Sequence, residues 1–187
     1  MNDLIILATL LAGPKHGYQL KREAGFIFGD AALHNNLIYP LLRRFAMEGL
    51  VTKKAVAGQR GQTRQQYALS PLGRKTLVER LSQFNEQDSS SFPNFITRVG
   101  MFEILGQETC EFILTQRENY LLRRQRQFAT LQENMMLGRY AGSVVGFLHG
   151  QIESELKWIQ RLRRLIKKLK AKGDHNATQN GNFINRR

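Results

Sequence analysis

The chain has 187 residues, of which 28 are Lys or Arg and 15 are Asp or Glu, so its formal net charge is +13 at pH 7. This length allows one domain or two small ones, and a charge of this size favours a polyanionic partner such as nucleic acid. The single cysteine, Cys110, excludes an intrachain disulfide and suits a reducing compartment, so we predict a cytoplasmic protein. No stretch reaches the roughly 18 apolar residues of a membrane span, so we predict no membrane partner.

The N-terminal part of the chain shows helical spacing of apolar residues. Residues 4–11 predict a first helix, which Gly13-Pro14 ends, and a second helix is predicted from His16-Gly17-Tyr18 to about residue 30. The third predicted helix runs from about residue 34 to 48, and Gly49 ends it as the left-handed residue. We expect its inward side chains to be Leu37, Leu41, Leu42 and Phe45.

A basic hairpin follows the third helix. Residues 50–57 and 64–69 alternate in the manner of strands, and residues 58–63 between them are rich in turn formers. Ser70 and Pro71 are suited to the N-cap and first position of a fourth helix. A polar-tipped helix followed directly by a cationic two-stranded ribbon is typical of a winged helix-turn-helix that binds duplex DNA.

The second half of the chain is predicted to be helical. From residue 108 onward Leu114, Leu121, Phe128 and Met135 recur every seven positions, and a final helix is predicted over residues 140–170. The predicted organisation is therefore mainly α, and it comprises a winged helix-turn-helix domain with a two-stranded wing (1–85), a linker (86–93), a helical dimerisation domain (94–170) and a disordered polar tail (171–187).

These residues resemble the PadR family of bacterial transcriptional regulators. The resemblance rests on three segments, Leu10 to Leu20 with its His-Gly-Tyr turn, Ile38 to Val51, and Arg64 to Arg74. The C-terminal half, especially Glu153 to Ile159, is similar to the longer PadR subfamily of the AphA type. The resemblance implies a DNA-binding regulator and, as the commoner activity of the family, a repressor.

The N-terminal end of the third helix holds the candidate base readers. Here His34-Asn35-Asn36 replace a small polar residue and Gly-Thr of the family pattern. Asn35 and Asn36 are predicted to read bases, with His34 beside them, because an asparagine amide can pair with N6 and N7 of adenine. The alternative for either asparagine is that it only caps the helix.

Cationic and hydroxyl groups behind this tip are candidates for phosphate contacts. The resemblance implies that the Tyr39 hydroxyl reaches a phosphate, with packing of its ring in the core as the alternative. Arg43 suits a backbone phosphate one turn further, whereas Arg44 is expected to be a solvated surface charge. On the wing we expect non-specific phosphate contacts from Lys53, Lys54, Arg60 and Arg64.

The C-terminal helices predict a homodimer, because one recognition helix contacts few bases and a pair can bind an inverted repeat. A small aromatic effector is a further possibility that the resemblance implies. Its candidate pocket consists of Tyr140, Phe147, His149 and Trp158, with ordinary packing of these side chains as the alternative.

Other classes of protein fit the sequence less well. It has no phosphate-binding glycine loop, no nucleophile elbow and no Cys/His spacing for metal, so we predict no enzymatic activity, no cofactor and no metal site. The rival interpretation is an architectural protein that binds DNA without sequence preference, which the charge alone would allow.

Overall fold

The computed structural model describes residues 2–28, 35–57, 63–134 and 138–181; the side chains of residues 2, 25–28, 35–36, 131–134 and 170–181 fall outside that description. By contact the chain divides into two compact units, Met1–Gly106 and Gln107–Arg187. The first unit is built from these elements: α1 (Asn2–Thr9), a 3-10 turn (Leu10–Ala12), β1 (Lys15–His16), α2 (Gly17–Phe28), α3 (Asn35–Met47), β2 (Val51–Ala57), β3 (Thr63–Leu69), α4 (Pro71–Ser82), α5 (Glu86–Ser90), α6 (Phe92–Val99) and a second 3-10 turn (Phe102–Ile104).

Helix α3 ends where the sequence predicts. Gly49 has a φ of 72°, a left-handed conformation that glycine adopts without steric cost. The amide of Leu50 donates to the carbonyl of Phe45 at 2.8 Å and the amide of Gly49 to that of Ala46 at 3.2 Å, which is the bond pair of a Schellman ending. These bonds satisfy carbonyls that the helix leaves without partners and turn the chain into the wing.

The wing belongs to an antiparallel sheet with the strand order β1-β3-β2. Strands β2 and β3 pair along their whole length, from Val51 opposite Leu69 to Ala57 opposite Thr63. Strand β1 adds two residues to the other edge of β3. The sequence predicted a two-stranded wing, and the third strand escaped notice because two residues are too few to show an alternating pattern.

A single apolar core joins α1, α2, α3 and α4 to the base of the sheet. One predicted inward residue was wrong, because Leu37 is 40% exposed while its neighbour Ile38 is buried. Full burial of one such side chain contributes roughly 1.5–3 kcal/mol. The largest fully buried members of this core are Ile5, Ile6, Leu7, Leu20, Ile38, Leu42, Phe45, Leu77 and Leu81.

The segment after α4 is folded into two short helices. Asn85 accepts a hydrogen bond from the amide of Asp88 at 2.8 Å and forms a capping box at the start of α5. Ser91 accepts one from the amide of Asn94 at 3.3 Å and begins α6. This differs from the linker predicted at residues 86–93, because the Asn and Ser residues that are typical of linkers also cap helices.

Arg98 of α6 ties these short helices to the end of α4. Its side chain is buried and lies over the ring of Phe84, with 4.9 Å from the guanidinium carbon to the ring centre. Burial lowers the pKa of Arg98 and the Asp88 carboxylate raises it, but an arginine remains protonated in proteins. The guanidinium donates to the carbonyls of Leu81 (3.1 Å), Gln83 (2.8 Å) and Asn94 (3.1 Å) and to the carboxylate of Asp88 (3.1 Å).

The second unit is a hairpin of two long helices, α7 (Gln107–Asn134) and α8 (Arg139–Gly181). Leu114, Leu121 and Phe128 of the predicted seven-residue series are buried, and Met135 lies outside the described residues. Helix α8 extends beyond residue 170 to Gly181, whereas a polar tail was predicted from residue 171.

Ion pairs fix how α7 and α8 align. Arg117, which is buried, donates through Nε and Nη2 to the two carboxylate oxygens of Glu155 at 2.6 and 2.9 Å. Arg163 lies between Glu111 at 3.1 Å and Glu118 at 2.7 Å. Bidentate pairs of this kind depend strongly on geometry, and a shift of one helix along the other would leave charges unpaired.

One face of α8 carries exposed apolar side chains, which we call the α8 stripe. Its members are spaced by three or four residues within each of two groups, so that they lie on one side of the helix. The groups are separated by five turns. The α8 stripe consists of Tyr140 (85% exposed), Val144 (57%), Phe147 (65%), Leu165 (54%) and Leu169 (61%).

Candidate nucleic-acid interface

The outer face of α3 is polar and cationic along the side opposite its buried residues. Tyr39 is 46% exposed, and Arg43, one turn further, is also exposed. Asn35 and Asn36 are the first two residues of α3, and by helical periodicity Asn36 shares a side of the helix with Arg43. His34 lies outside the described residues. Four of the residues predicted to contact DNA therefore belong to α3.

Tyr39 is held against the start of α2. A Cβ atom on Gly17 would lie 2.8 Å from Cε1 and 3.3 Å from Cζ of the Tyr39 ring, so only glycine leaves room for this contact. The packing explains the glycine of the His-Gly-Tyr turn. It also fixes the ring from one side while its other side remains exposed.

Arg44 does not behave as the solvated surface charge that we expected. It forms an ion pair with Asp3 of α1 and a second, at 3.5 Å, with Glu48. Asp3 also lies 3.5 Å from Arg80 of α4. Arg44 therefore helps to join α3 to α1 and α4, and the cation of α3 that remains without a described acidic partner is Arg43.

The cations of the wing lie on different faces of the sheet. Lys54 lies opposite Gln66 and Val56 opposite Arg64, so Lys54 and Arg64 share one face. Lys53 lies on the other face, opposite Tyr67. All three basic side chains are exposed. Arg60 lies outside the described residues.

Two residues that were not predicted to contact DNA lie beside Tyr39. Tyr18 and Arg22 are exposed residues of α2, one turn apart, and the Arg22 guanidinium lies 5.9 Å from the centre of the Tyr18 ring. Together with Tyr39 and Arg64 they line a cleft. The signal in the sequence that could have identified them is an aromatic and a basic residue spaced by one helical turn, Tyr18 and Arg22.

The four candidate effector residues all belong to α8. From Tyr140 to Trp158 the helix rises about 27 Å at 1.5 Å per residue, so this helix alone does not gather them around one cavity. Tyr140 and Phe147 belong to the α8 stripe, whereas His149 lies 3.7 Å from Glu153, its neighbour one turn further.

None of the helices in the described ranges is long and apolar enough to cross a membrane. Nor do His, Cys, Asp and Glu side chains in the described part of the chain form a group that could hold a metal ion.

The helical core, the exposed α3 and the cationic wing define a winged helix-turn-helix protein. Residues 6–79 match the model of the transcriptional regulator PadR-like family. The match lies within the first unit, which is therefore similar to a family of transcriptional regulators. The assignment to the longer subfamily stays a prediction.

Several solved structures are similar to the chain. Bacillus subtilis PadR in complex with operator DNA is 16% identical with a TM-score of 0.43, and the match covers 88% of this chain and 98% of that one. A Thermoplasma acidophilum protein is 28% identical (42% and 75% covered, TM-score 0.40). A PadR family transcription regulator from Clostridium difficile is 21% identical (42% and 81% covered, TM-score 0.37). No curated protein matches the sequence significantly.

Proposed function

We propose that this PadR-like regulator recognises a specific DNA sequence by placing α3 in the major groove and the wing along the neighbouring backbone. The observation that supports it is the exposed side of α3 followed directly by the cationic wing. Among the described residues, Arg43, Lys53, Lys54 and Arg64 have no acidic partner. Their charges are therefore available to phosphates, and releasing counterions from DNA would favour binding.

The regulator acts as a homodimer through the α8 stripe. Exposed apolar residues aligned over such a length are unfavourable in water, and another copy of the same helix can cover them by coiled-coil packing. The face of α8 that packs on α7 carries the buried Ile152 and Ile159 instead. A two-fold pair would present two α3 helices to an inverted repeat. The regulator then represses transcription in the cytoplasm, as the family resemblance implies.

Selection of bound sequences from a random duplex pool tests the proposal. We expect the wild-type chain to enrich an inverted repeat and to bind it at least about a thousandfold more tightly than random duplex, the lower end of the range for specific regulators. Equal affinity for random duplex would contradict sequence recognition and favour the architectural alternative.

The roles of α3 and the wing can be separated with two variants. Asn36→Ala should relax the preference at one base position, because a good amide–base pair discriminates by roughly 1–3 kcal/mol. Lys54→Gln should weaken binding to all sequences equally and reduce the salt dependence of the affinity. Lys75→Gln, which removes an exposed cation of α4, is the matched control. Identical effects of the first two variants would contradict the assignment.

Sedimentation equilibrium tests the dimer. The wild-type chain should be dimeric at micromolar concentration, and Phe147→Glu should shift it to monomer because a carboxylate would be buried in the α8 stripe. Lys157→Glu, an exposed position on a different side of α8, should leave the dimer intact. A monomeric wild-type chain, or a dimer that Phe147→Glu does not weaken, would overturn this part of the proposal.

An aromatic effector that binds near Tyr140, Phe147, His149 and Trp158 stays a prediction. The chain has one tryptophan, so its fluorescence reports on this helix without interference. Quenching by a phenolic acid, with release of DNA at the same concentration, would support the effector. No response across a broad panel of aromatic acids would contradict it.

A further inference from the structure

The part of α8 after Glu155 is strongly basic. Between residues 156 and 170 the sequence has seven Lys or Arg residues and no Asp or Glu. One of them, Arg163, is bound by Glu111 and Glu118 of α7. Four of the others follow one another at intervals of four, three and four residues, and we call them the basic row. The basic row consists of Lys157, Arg161, Arg164 and Lys168.

The basic row lies on the side of α8 that faces away from α7. Helix α8 packs on α7 through the side that carries the buried Ile152 and Ile159. At 3.6 residues per turn, all four members of the row lie within about 40° of the direction opposite Ile159. Their side chains are exposed. The row therefore presents its charges to solvent and not to the core of the second unit.

No carboxylate neutralises the basic row within the described part of the chain. None of its members forms an ion pair there. Arg164 donates a hydrogen bond at 3.4 Å to the carbonyl of Gln160 in its own helix. Cations three or four residues apart on a helix repel one another and destabilise it. A partner with several negative charges would remove this repulsion.

A second copy of the chain is a poor source of those negative charges. Most carboxylates of the second unit whose side chains are described already lie against a basic group of their own chain. These pairs are Glu111 and Glu118 with Arg163, Glu155 with Arg117, and Glu153 with His149. Among these described carboxylates, Glu108 is the one outside such a pair. Pairing of two copies through the α8 stripe would therefore leave the basic row charged.

The neighbours of the basic row favour DNA over a membrane. A helix that lies on a membrane inserts apolar side chains beside its cations. Leu165 and Leu169 belong to the α8 stripe, about a quarter of a turn away from the row, where the proposed dimer covers them. Duplex DNA needs no apolar contact and carries one charge per roughly 1.7 Å of its axis. Cations that rise by about 4.5 or 6 Å from one to the next can each meet a phosphate of such a backbone.

We propose that the basic row binds the phosphate backbone of duplex DNA without reading its sequence, as a surface separate from α3 and the wing. It belongs to the second unit, whereas α3 and the wing belong to the first. The row spans about 16 Å at 1.5 Å per residue, and each phosphate that it neutralises releases counterions. It raises the affinity of the chain for any duplex and does not depend on recognition of an operator.

The salt dependence of affinity for a random-sequence duplex tests the basic row. Each lost phosphate contact reduces the slope of log affinity against log salt by about 0.9, so Arg161→Gln/Arg164→Gln should reduce it by about 1.8. Between 50 and 200 mM salt this variant should lose about twelvefold less affinity than the wild type. Arg161→Lys/Arg164→Lys keeps both charges and should keep the slope. Lys75→Gln/Arg126→Gln removes two exposed cations from other helices and should also keep it.

A chain with a neutral wing tests whether the basic row acts separately. Lys53→Gln/Lys54→Gln/Arg64→Gln removes the described cations of the wing. This chain should still bind random duplex at 50 mM salt, and adding Arg161→Gln/Arg164→Gln should reduce its slope by a further amount of about 1.8. Loss of all binding from the neutral wing alone would show that the basic row holds no DNA by itself and would overturn the proposal.

The outcomes distinguish the basic row from operator recognition. If the wild-type chain prefers no sequence but Arg161→Gln/Arg164→Gln lowers the slope, the proposed function fails and the basic row stands. If the wild-type chain recognises an operator but this variant keeps the full slope, or changes it no more than Lys75→Gln/Arg126→Gln does, only the basic row is refuted. Binding to vesicles of phosphatidylserine and phosphatidylcholine that the variant abolishes, with an unaltered DNA slope, would assign the surface to membranes and would also refute it.

Discussion

Replacing Arg98 by methionine should strongly destabilise the first unit. The change keeps much of the apolar stem but removes every donor of the guanidinium. Three backbone carbonyls, those of Leu81, Gln83 and Asn94, would lose their side-chain partner, and the Asp88 carboxylate would lose its ion pair. These groups belong to the end of α4 and to α5 and α6, and because the Arg98 side chain between them is buried, water replaces the lost bonds only in part.

The size of the effect follows from these bonds. A lost partner at a buried carbonyl costs about 1 kcal/mol or more, and removal of one member of a buried ion pair costs roughly 3–5 kcal/mol. Asp88 is partly exposed and keeps a hydrogen bond from Asn94 Nδ2 at 2.8 Å, which lowers its share. We therefore expect a total loss of about 4 kcal/mol, a large fraction of the 5–15 kcal/mol typical of a domain.

Urea unfolding followed by circular dichroism measures this loss, and amide exchange over residues 81–98 localises it. Arg80→Met is the matched control, because Arg80 is a more exposed arginine whose ion pair with Asp3 is 3.5 Å long. Pairs of that kind contribute about 0–1 kcal/mol. A loss for Arg98→Met no larger than that of the control would show that the buried guanidinium does not hold the segment, and would refute the reasoning.

Two further predictions concern buried positions. Gly73→Ala should destabilise the fold by about 3 kcal/mol or more, because its Cβ would lie 2.0 Å from the backbone oxygen of Leu50. Urea unfolding measures this loss. The control is Gly106→Ala, where the added Cβ meets open space and the stability should hardly change. Cys110 is buried, and burial, with Glu111 as a lesser cause, raises the pKa of its thiol. Ellman's reagent should therefore modify it only on unfolding, and rapid modification of the native chain would contradict this.

The sequence predicted the winged helix-turn-helix well because its signals are local. Gly49 ends α3 and Ser70 caps α4 for reasons contained within a few residues of each. The inward face of α3 was harder to predict, because the pairs at 37–38 and 41–42 let either residue face the core. In the structure Ile38 is buried and Leu37 is 40% exposed, an outcome set by the rest of the core, which other elements supply.

The parts of the candidate site that escaped prediction depend on contacts between distant residues. Strand β1 exists through its pairing with β3, and the role of Gly17 depends on the ring of Tyr39 on another helix. Arg44 was predicted to be a surface charge because its partner, Asp3, lies 41 residues earlier in the sequence. Spacing along the chain carries no signal for such contacts.

Two hydrogen bonds from Ser70 join the end of α3 to the base of the wing. Ser70 donates through Oγ to the carbonyl of Gly49 at 2.6 Å and through its amide to that of Leu50 at 3.0 Å, so the end of the reading helix and the base of the hairpin are bonded into one rigid piece. In the proposed complex with DNA, a helix and hairpin held in a fixed arrangement require the double helix to bend or twist to fit them. The stiffness of DNA varies with its base sequence, so we expect it to contribute to operator preference at positions that no side chain contacts.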